Sequence, residues 1–359
     1  MHLFSRLEAA ARQERDLSLE DAASALSAPD LSTDSLLELA RIPREKHYGR
    51  RVRLHVLNNV RNGHCPEDCG YCAQRKTAAP GSIADYVDKS VEEILAEAKE
   101  ACKNGAFRYC LVSAGRGPGR AGIARYASII RLIKERYPLE VCLSAGILKD
   151  PGLAQELAEA GLDRYNHNLN TSENHYGEIC STHEYADRRA TLSTLRSAGV
   201  ELCSGVIVGM GESPQDLADL AMTLRAEQTA SIPVNFFLPV PGHAINEAHT
   251  LTADYCLRVL AMFRLANPEA EVRMAAGREM HIGASQPRAL LAANSLFVSG
   301  YLNVRGSDAA TTVQMIEQAG FEVDAAASDL PRGLPEKGEP DGVVLKGLPE
   351  LRPFQHQGP

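Results

Sequence analysis

Cys65, Cys69 and Cys72 fall within eight positions of the stretch GHCPEDCGYCAQ, at the spacing C-x3-C-x2-C. Thiols clustered this tightly in a chain otherwise sparing of cysteine point first to metal ligation. Three of them leave one position of a tetrahedral set open. A structural zinc site needs a fourth partner, such as the adjoining His64, and usually comes as two Cys pairs. No second pair is present. An iron–sulfur cluster takes thiolate ligands, and with three cysteines one iron is free to bind a substrate chelate. That is the chemistry the spacing favours.

A second set of polar residues sits where strands are expected. Cys110 in FRYCLVSA, Cys142 in LEVCLSAG and Cys203 in VELCSGV are each mid-strand, between apolar neighbours that would face outward. Arg273 holds the same place in AEVRMAAG, and Asn166, Asn168 and Asn170 form a comb on one face of RYNHNLN. Buried amides and a guanidinium need partners, so these strands are expected to enclose something polar. A single buried cysteine is usually a small core residue, and Cys102 and Cys256, on apolar helix faces, read that way. Cys180 has no assignment from its surroundings. Three cysteines at comparable depth on separate strands, beside an arginine, are candidates for a second cluster.

The elements that must hold these residues are legible in the alternation of patterns. Residues 1–45 carry short helical patterns, SRLEAAARQ and STDSLLELARI, and read as an N-terminal helical cap. Over 46–325, β-rich runs alternate with punctuated amphipathic helices. The runs are VRLHVLNNV, FRYCLVSA, LEVCLSAG, LDRYNHNLN, VELCSGVIVG, IPVNFFLPV, AEVRMAAG and NSLFVSG. SVEEILAEAKEACKNG opens on a capping box, Ser90 with Glu93, and closes at Gly105. Asp150-Pro151 and Ser213-Pro214 open two more helices. Eight strands alternating with helices predict an α/β protein, a (β/α)8 TIM-type barrel with a parallel sheet. Residues 326–359, rich in Pro, Gly and charge, predict a disordered C-terminal tail.

Composition excludes several classes. The 359 residues are 44% hydrophobic with net charge −8, and no dense basic run suggests nucleic acid or an anionic membrane as partner. No apolar run reaches the roughly 18 residues of a membrane span. The opening MHLFSRLEAAARQERD lacks a signal peptide's apolar region, and its acids do not suit a transit peptide. Nine cysteines, an odd number, fit a reducing, cytoplasmic setting better than a disulfide framework.

The C-x3-C-x2-C loop, with Tyr71 before its last cysteine, resembles the radical S-adenosylmethionine (SAM) superfamily. CPEDCGYC is closer still to the biotin synthase family. That family's motifs recur in order over roughly residues 50–325, as YCLVSAGRGP, DRYNHNLNTS, CSGVIVGMGE, SIPVNFF, VRMAAGRE and AANSLF. The resemblance implies a 4Fe–4S cluster on Cys65, Cys69 and Cys72 whose free iron chelates SAM. It also implies a 2Fe–2S cluster on Cys110, Cys142, Cys203 and Arg273, an odd ligand because a guanidinium stays protonated. Tyr71, Asn168, Asn170, Arg188 and the strand from Gly205 through Gly209 to Glu212 match positions around SAM. Asn166 and Asn235 match positions at the ureido ring of dethiobiotin, and an amide suits a urea that offers one carbonyl and two N–H groups.

The implied activity is insertion of sulfur between C6 and C9 of dethiobiotin to give biotin, the sulfur coming from the 2Fe–2S cluster. A homodimer and a flavodoxin- or ferredoxin-type electron donor are implied with it. The chain departs from the family at YLNVRG, where Asn303-Val304 replaces a common Thr-Thr pair near the substrate carboxylate. Arg305 or backbone N–H groups are the candidates to take that carboxylate over. The alternatives are another radical SAM barrel, of the hydrogenase maturase or methylornithine synthase type, or an iron–sulfur electron carrier.

Overall fold

The computed structural model describes residues 2–245, 251–325, 330–331 and 342–355. Helix starts follow the local chemistry. In α4 (Val91–Lys103) the Ser90 side chain accepts the Glu93 N–H, and the Glu93 carboxylate accepts the Ser90 N–H at 2.7 Å. This box satisfies two donors that a helix start otherwise orphans, and Ile94, Leu95, Ala98 and Ala101 are buried behind it. Asp150 takes the N–H groups of Gly152 and Leu153 at the head of the helix Pro151–Glu159. Ser213 caps Pro214–Ala226 in the same manner, with Asp216 completing a box.

Between these helices the strands close into an eight-membered parallel barrel. The strands are β1 (Arg51–Arg61), β2 (Arg108–Ser113), β3 (Glu140–Ser144), β4 (Arg164–Asn166), β5 (Glu201–Cys203) with β6 (Val206–Val208), β7 (Ser231–Phe236), β8 (Glu271–Met274) and β9 (Ser295–Phe297). They pair in that order, and β9 returns to β1. The run VELCSGVIVG, expected as one strand, is thus two pieces that both pair with β7. Gly205 lies at the break, where a Cβ would come 1.9 Å from the Pro233 carbonyl oxygen. The asparagine comb is only partly a strand. β4 ends at Asn166, and Asn170, at φ 71°, makes an isolated bridge to Val206.

The N-terminal helices α1 (Leu3–Ala11), α2 (Leu19–Ser27) and α3 (Thr33–Tyr48) form the expected cap. They are held to the barrel's flank by buried arginines. Arg258 donates to the carbonyls of Leu31 and Ala28 at 2.6 and 3.0 Å, and Arg44 to those of Leu290 and Arg51 at 3.0 and 2.9 Å. No helix among the described residues is long and apolar enough to cross a membrane.

Part of the C-terminal segment lies against the barrel. Residues 326–329, 332–341 and 356–359 lie outside the described residues, but 342–355 are folded onto the barrel. Leu345 bridges Val304, the Lys346 N–H donates to Asn303 O at 2.7 Å, and Arg352 makes two bonds to Glu93 at 2.9 and 2.7 Å. Composition averaged over a Pro- and Gly-rich tail hid the short run VVLKGLPELR, which pairs its backbone and buries Leu351.

Candidate functional site

Loops after the strands surround a cavity of about 300 Å³ at the C-terminal ends of the barrel strands, where barrel enzymes place their sites. Its wall includes Cys65, Cys69 and Cys72 from the loop after β1, and Cys110, Cys142 and Arg273 from the strands. The loop is folded by its own backbone. The Cys65 N–H donates to Gln74 O at 3.1 Å, Cys72 to Cys69 O at 3.1 Å and Lys76 to Glu67 O at 2.8 Å. His64 faces away, exposed and 2.5 Å from Asp85, so it does not complete a zinc set.

On the barrel floor, Cys110 and Cys142 are register partners, and Asn166 is the partner of Cys203. Cys203 is not part of the cavity wall and is 1% exposed. Hydrogen bonding among the three thiols lowers the pKa of Cys110 and raises those of Cys142 and Cys203. Asn166 Nδ2 is 3.2 Å and Arg273 Nη1 3.9 Å from Cys203 Sγ. Arg273 Nη2 donates to Glu271 at 2.6 Å and Ser231 at 2.7 Å, while its buried Nε has no partner. Three touching thiols beside a fixed cation with a spare donor fit a small anionic cluster.

Glu271 is the residue that orients this floor. It is fully buried, and Arg108, Arg164, Arg53 and Arg273 approach its carboxylate at 2.8, 3.1, 3.3 and 2.6 Å, with His55 at 3.0 Å. Burial alone would raise its pKa, but the guanidiniums around it hold it well below the usual range. Burial keeps His55 neutral, so that contact is a neutral N–H donor to a carboxylate. Glu271 stands two residues before Arg273 on the same strand face, a signal the sequence carries.

Asn166, Asn168 and Asn170 all line the cavity. Asn170 Nδ2 donates to Tyr71 OH at 2.6 Å, and Arg188, buried, donates to Asn168 O at 2.8 Å and Tyr71 OH at 3.2 Å. Asn235 also lines it, but both ends of its amide are committed, Nδ2 to Val206 O at 2.9 Å and Oδ1 to the Ala276 N–H at 3.2 Å. Gly205, Gly209 and Glu212 are not in the wall; of their strand, Ile207 is. The Glu212 carboxylate instead closes the turn, accepting the N–H groups of Gly209 and Met210 at 2.7 and 2.8 Å.

Arg305 stands apart from these residues. It is exposed, outside the wall, and makes two bonds to Glu350 at 2.7 Å each. Its backbone N–H is taken by Val344 O at 2.9 Å, so the folded tail turns it outward. Asn303 stays in the wall, with Oδ1 accepting from Asn62 Nδ2 at 2.6 Å. Two further residues went unassigned in the sequence, Cys180 and His183. Their C-x2-H spacing was the available signal, and they lie against Cys69.

Asn166→Leu tests the comb. It removes donors from the wall beside Cys203; with Asn166 at the ureido ring, as the resemblance implies, dethiobiotin affinity should fall by about 1–3 kcal/mol, measured by titration calorimetry. Unchanged affinity would place the urea elsewhere.

The comparisons agree with this geometry. The Radical SAM superfamily model matches residues 60–224, and that of the Biotin and Thiamin Synthesis associated domain matches 233–322. Methylornithine synthase superposes with a TM-score of 0.76 over 90% of this chain and 97% of its own, at 18% identity. The FeFe-hydrogenase maturase of Carboxydothermus hydrogenoformans gives 0.75 over 90% and 80%, also at 18%. Identities this low speak to the fold alone, and with the family models they define the class: a radical SAM barrel. Biotin synthase of Leptospira interrogans is 52% identical over 320 residues, 89% of this chain and 90% of its own. That of Magnetococcus marinus is 53% identical over 300 residues, 83% and 92%. The chain belongs to the biotin synthase family. It is an enzyme, a sulfurtransferase that makes biotin from dethiobiotin with SAM and a 4Fe–4S cluster.

Proposed function

We propose that Cys65, Cys69 and Cys72 hold the 4Fe–4S cluster at one end of the cavity, and that Cys110, Cys142, Cys203 and Arg273 hold a 2Fe–2S cluster on its floor. The observation that carries this is one cavity whose wall holds Cys65, Cys69 and Cys72 together with Cys110, Cys142 and Arg273, with Cys203 packed against the latter cysteines. When bound, these groups supply the electron that cleaves SAM and the sulfide that enters the product.

The protein's part is placement and exclusion of water. Glu271 and Ser231 fix the Arg273 fork through Nη2, which leaves Nη1 beside Cys203. Tyr71, Asn170 and Arg188 brace one another and, with Asn168, form the polar wall for SAM; Ile207 brings the Gly205–Glu212 strand to its adenine. Asn166 takes the ureido ring, and Asn235 fixes the backbone beside it. Because Asn62 commits Asn303 Oδ1, the donor end of that amide is left for the substrate carboxylate. All nine cysteines are free, which supports a reducing, cytoplasmic setting. A flavodoxin- or ferredoxin-type donor and a homodimer complete the proposal.

Isotopically heavy sulfide tests the floor assignment. Protein whose 2Fe–2S cluster is rebuilt with it should pass heavy sulfur into biotin in the first turnover, undiluted by light sulfide in the buffer. Light biotin from heavy-cluster protein would remove the floor cluster as donor.

A further inference from the structure

Beside the loop thiols, Cys69 meets two further donors that the cluster assignments leave unused. Cys69 Sγ and Cys180 Sγ are 3.7 Å apart, and His183 Nε2 is 3.7 Å from the first and 3.6 Å from the second. All three residues are buried, and Cys180 and His183 come from the segment after the short helix Tyr176–Ile179. A tetrahedral ion with metal–sulfur bonds of about 2.3 Å and metal–nitrogen bonds of about 2.0–2.1 Å spaces its sulfurs about 3.8 Å apart. The same ion sets sulfur and nitrogen about 3.6 Å apart. The observed spacings match one ion. A disulfide would need the sulfurs at about 2.05 Å.

The surroundings agree with a ligand set. His183 Nδ1 is 3.0 Å from Tyr176 OH, an outer contact of the kind that orients a ligating imidazole, and Cys180 Sγ stands 3.5 Å from Nδ1 and 3.6 Å from Nε2. Glu67 is 5% exposed, and its Oε2 has no hydrogen-bond partner and lies 3.8 Å from His183 Nε2. Two cations lie close: Arg188 Nη2 comes within 3.4 Å of the same nitrogen, and Arg116 Nη1 donates to Glu67 Oε1 at 3.1 Å. Two thiolates and the carboxylate still exceed them by one charge.

We propose that the cluster-free chain binds one divalent ion of the zinc or ferrous type through Cys69, Cys180 and His183, with Glu67 nearest the fourth position. Cys69 then serves two sites, so the ion and the 4Fe–4S cluster exclude one another. That exclusion rests on the assignment of Cys69 to the cluster; the ion site itself does not.

Cobalt(II) is the probe, added anaerobically to reduced protein stripped of iron and sulfide. One equivalent should bind with visible bands of tetrahedral intensity and thiolate-to-cobalt charge transfer. X-ray absorption on the unmutated chain should show two sulfurs and one imidazole. Cys180→Ser and His183→Ala should weaken binding at least tenfold while keeping the wild-type circular dichroism, and Cys72→Ser should leave it intact. Bound cobalt should block cluster reconstitution until it is chelated. Cobalt affinity unchanged in Cys180→Ser, or lost in Cys72→Ser, would overturn the site. Tight cobalt binding that leaves cluster assembly unimpeded would overturn only the sharing of Cys69.

Discussion

Cys72→Ala is expected to bring reductive cleavage of SAM to background, as are Cys65→Ala and Cys69→Ala. Each removes one of the three thiols in the loop after β1, and the adjoining His64 does not stand ready to replace it, since it points outward to Asp85. The floor thiols come from β2, β3 and β5. A cluster held there should keep its visible bands in all three variants. The measurement is 5′-deoxyadenosine released under strong reductant, beside the absorption spectrum of the same sample. Wild-type release from Cys72→Ala would mean that the loop is not where SAM is cleaved.

Glu271→Gln should destabilise the chain by about 3–5 kcal/mol, the cost of breaking a buried ion pair by neutralising one partner. Glutamine keeps the shape, so the loss is one of charge. Arg53, Arg108 and Arg164 retain Asp324, Glu140 and Glu201 at 3.0, 2.9 and 2.7 Å. Among the described residues Arg273 meets no second carboxylate; its other contacts include Ser231, Cys203 and the Phe297 ring. The penalty therefore concentrates on Arg273, and the floor should lose its geometry along with its stability. Denaturant midpoints of cluster-free protein give the first effect. A change within about 0.5 kcal/mol, the scale of an ordinary surface substitution, would show that Glu271 does not hold the floor.

The barrel was legible because strand and helix periods alternate and because caps such as Ser90, Asp150 and Ser213 are local signals. The cysteine loop was legible for the same reason: its residues are neighbours in sequence. What escaped depends on approach through space. Gly205 marks a strand break because Pro233 crowds it from β7, and Arg305 faces outward because a segment some forty residues later pairs with its loop. Cys180 meets Cys69 across a separation of 111 residues. No periodicity announces such a meeting. Glu271 was closer to hand, two positions from an arginine already singled out, but its hub is assembled from β1, β2, β4 and β7.

That hub also sets a timetable for synthesis. Glu271 lies 218 residues after Arg53, 163 after Arg108 and 107 after Arg164. While the chain is being made, three of the four guanidiniums emerge long before the carboxylate that gathers them. Contacts so distant along the chain form late and slowly. Cys110, Cys142 and Cys203 are likewise out of the ribosome before Arg273 exists to face them. The receptacle on the barrel floor is therefore completed only when β8 and β9 join β1, after about four-fifths of the chain has been synthesised. The cluster proposed for that floor would therefore be assembled on a released or nearly released polypeptide, not during its growth.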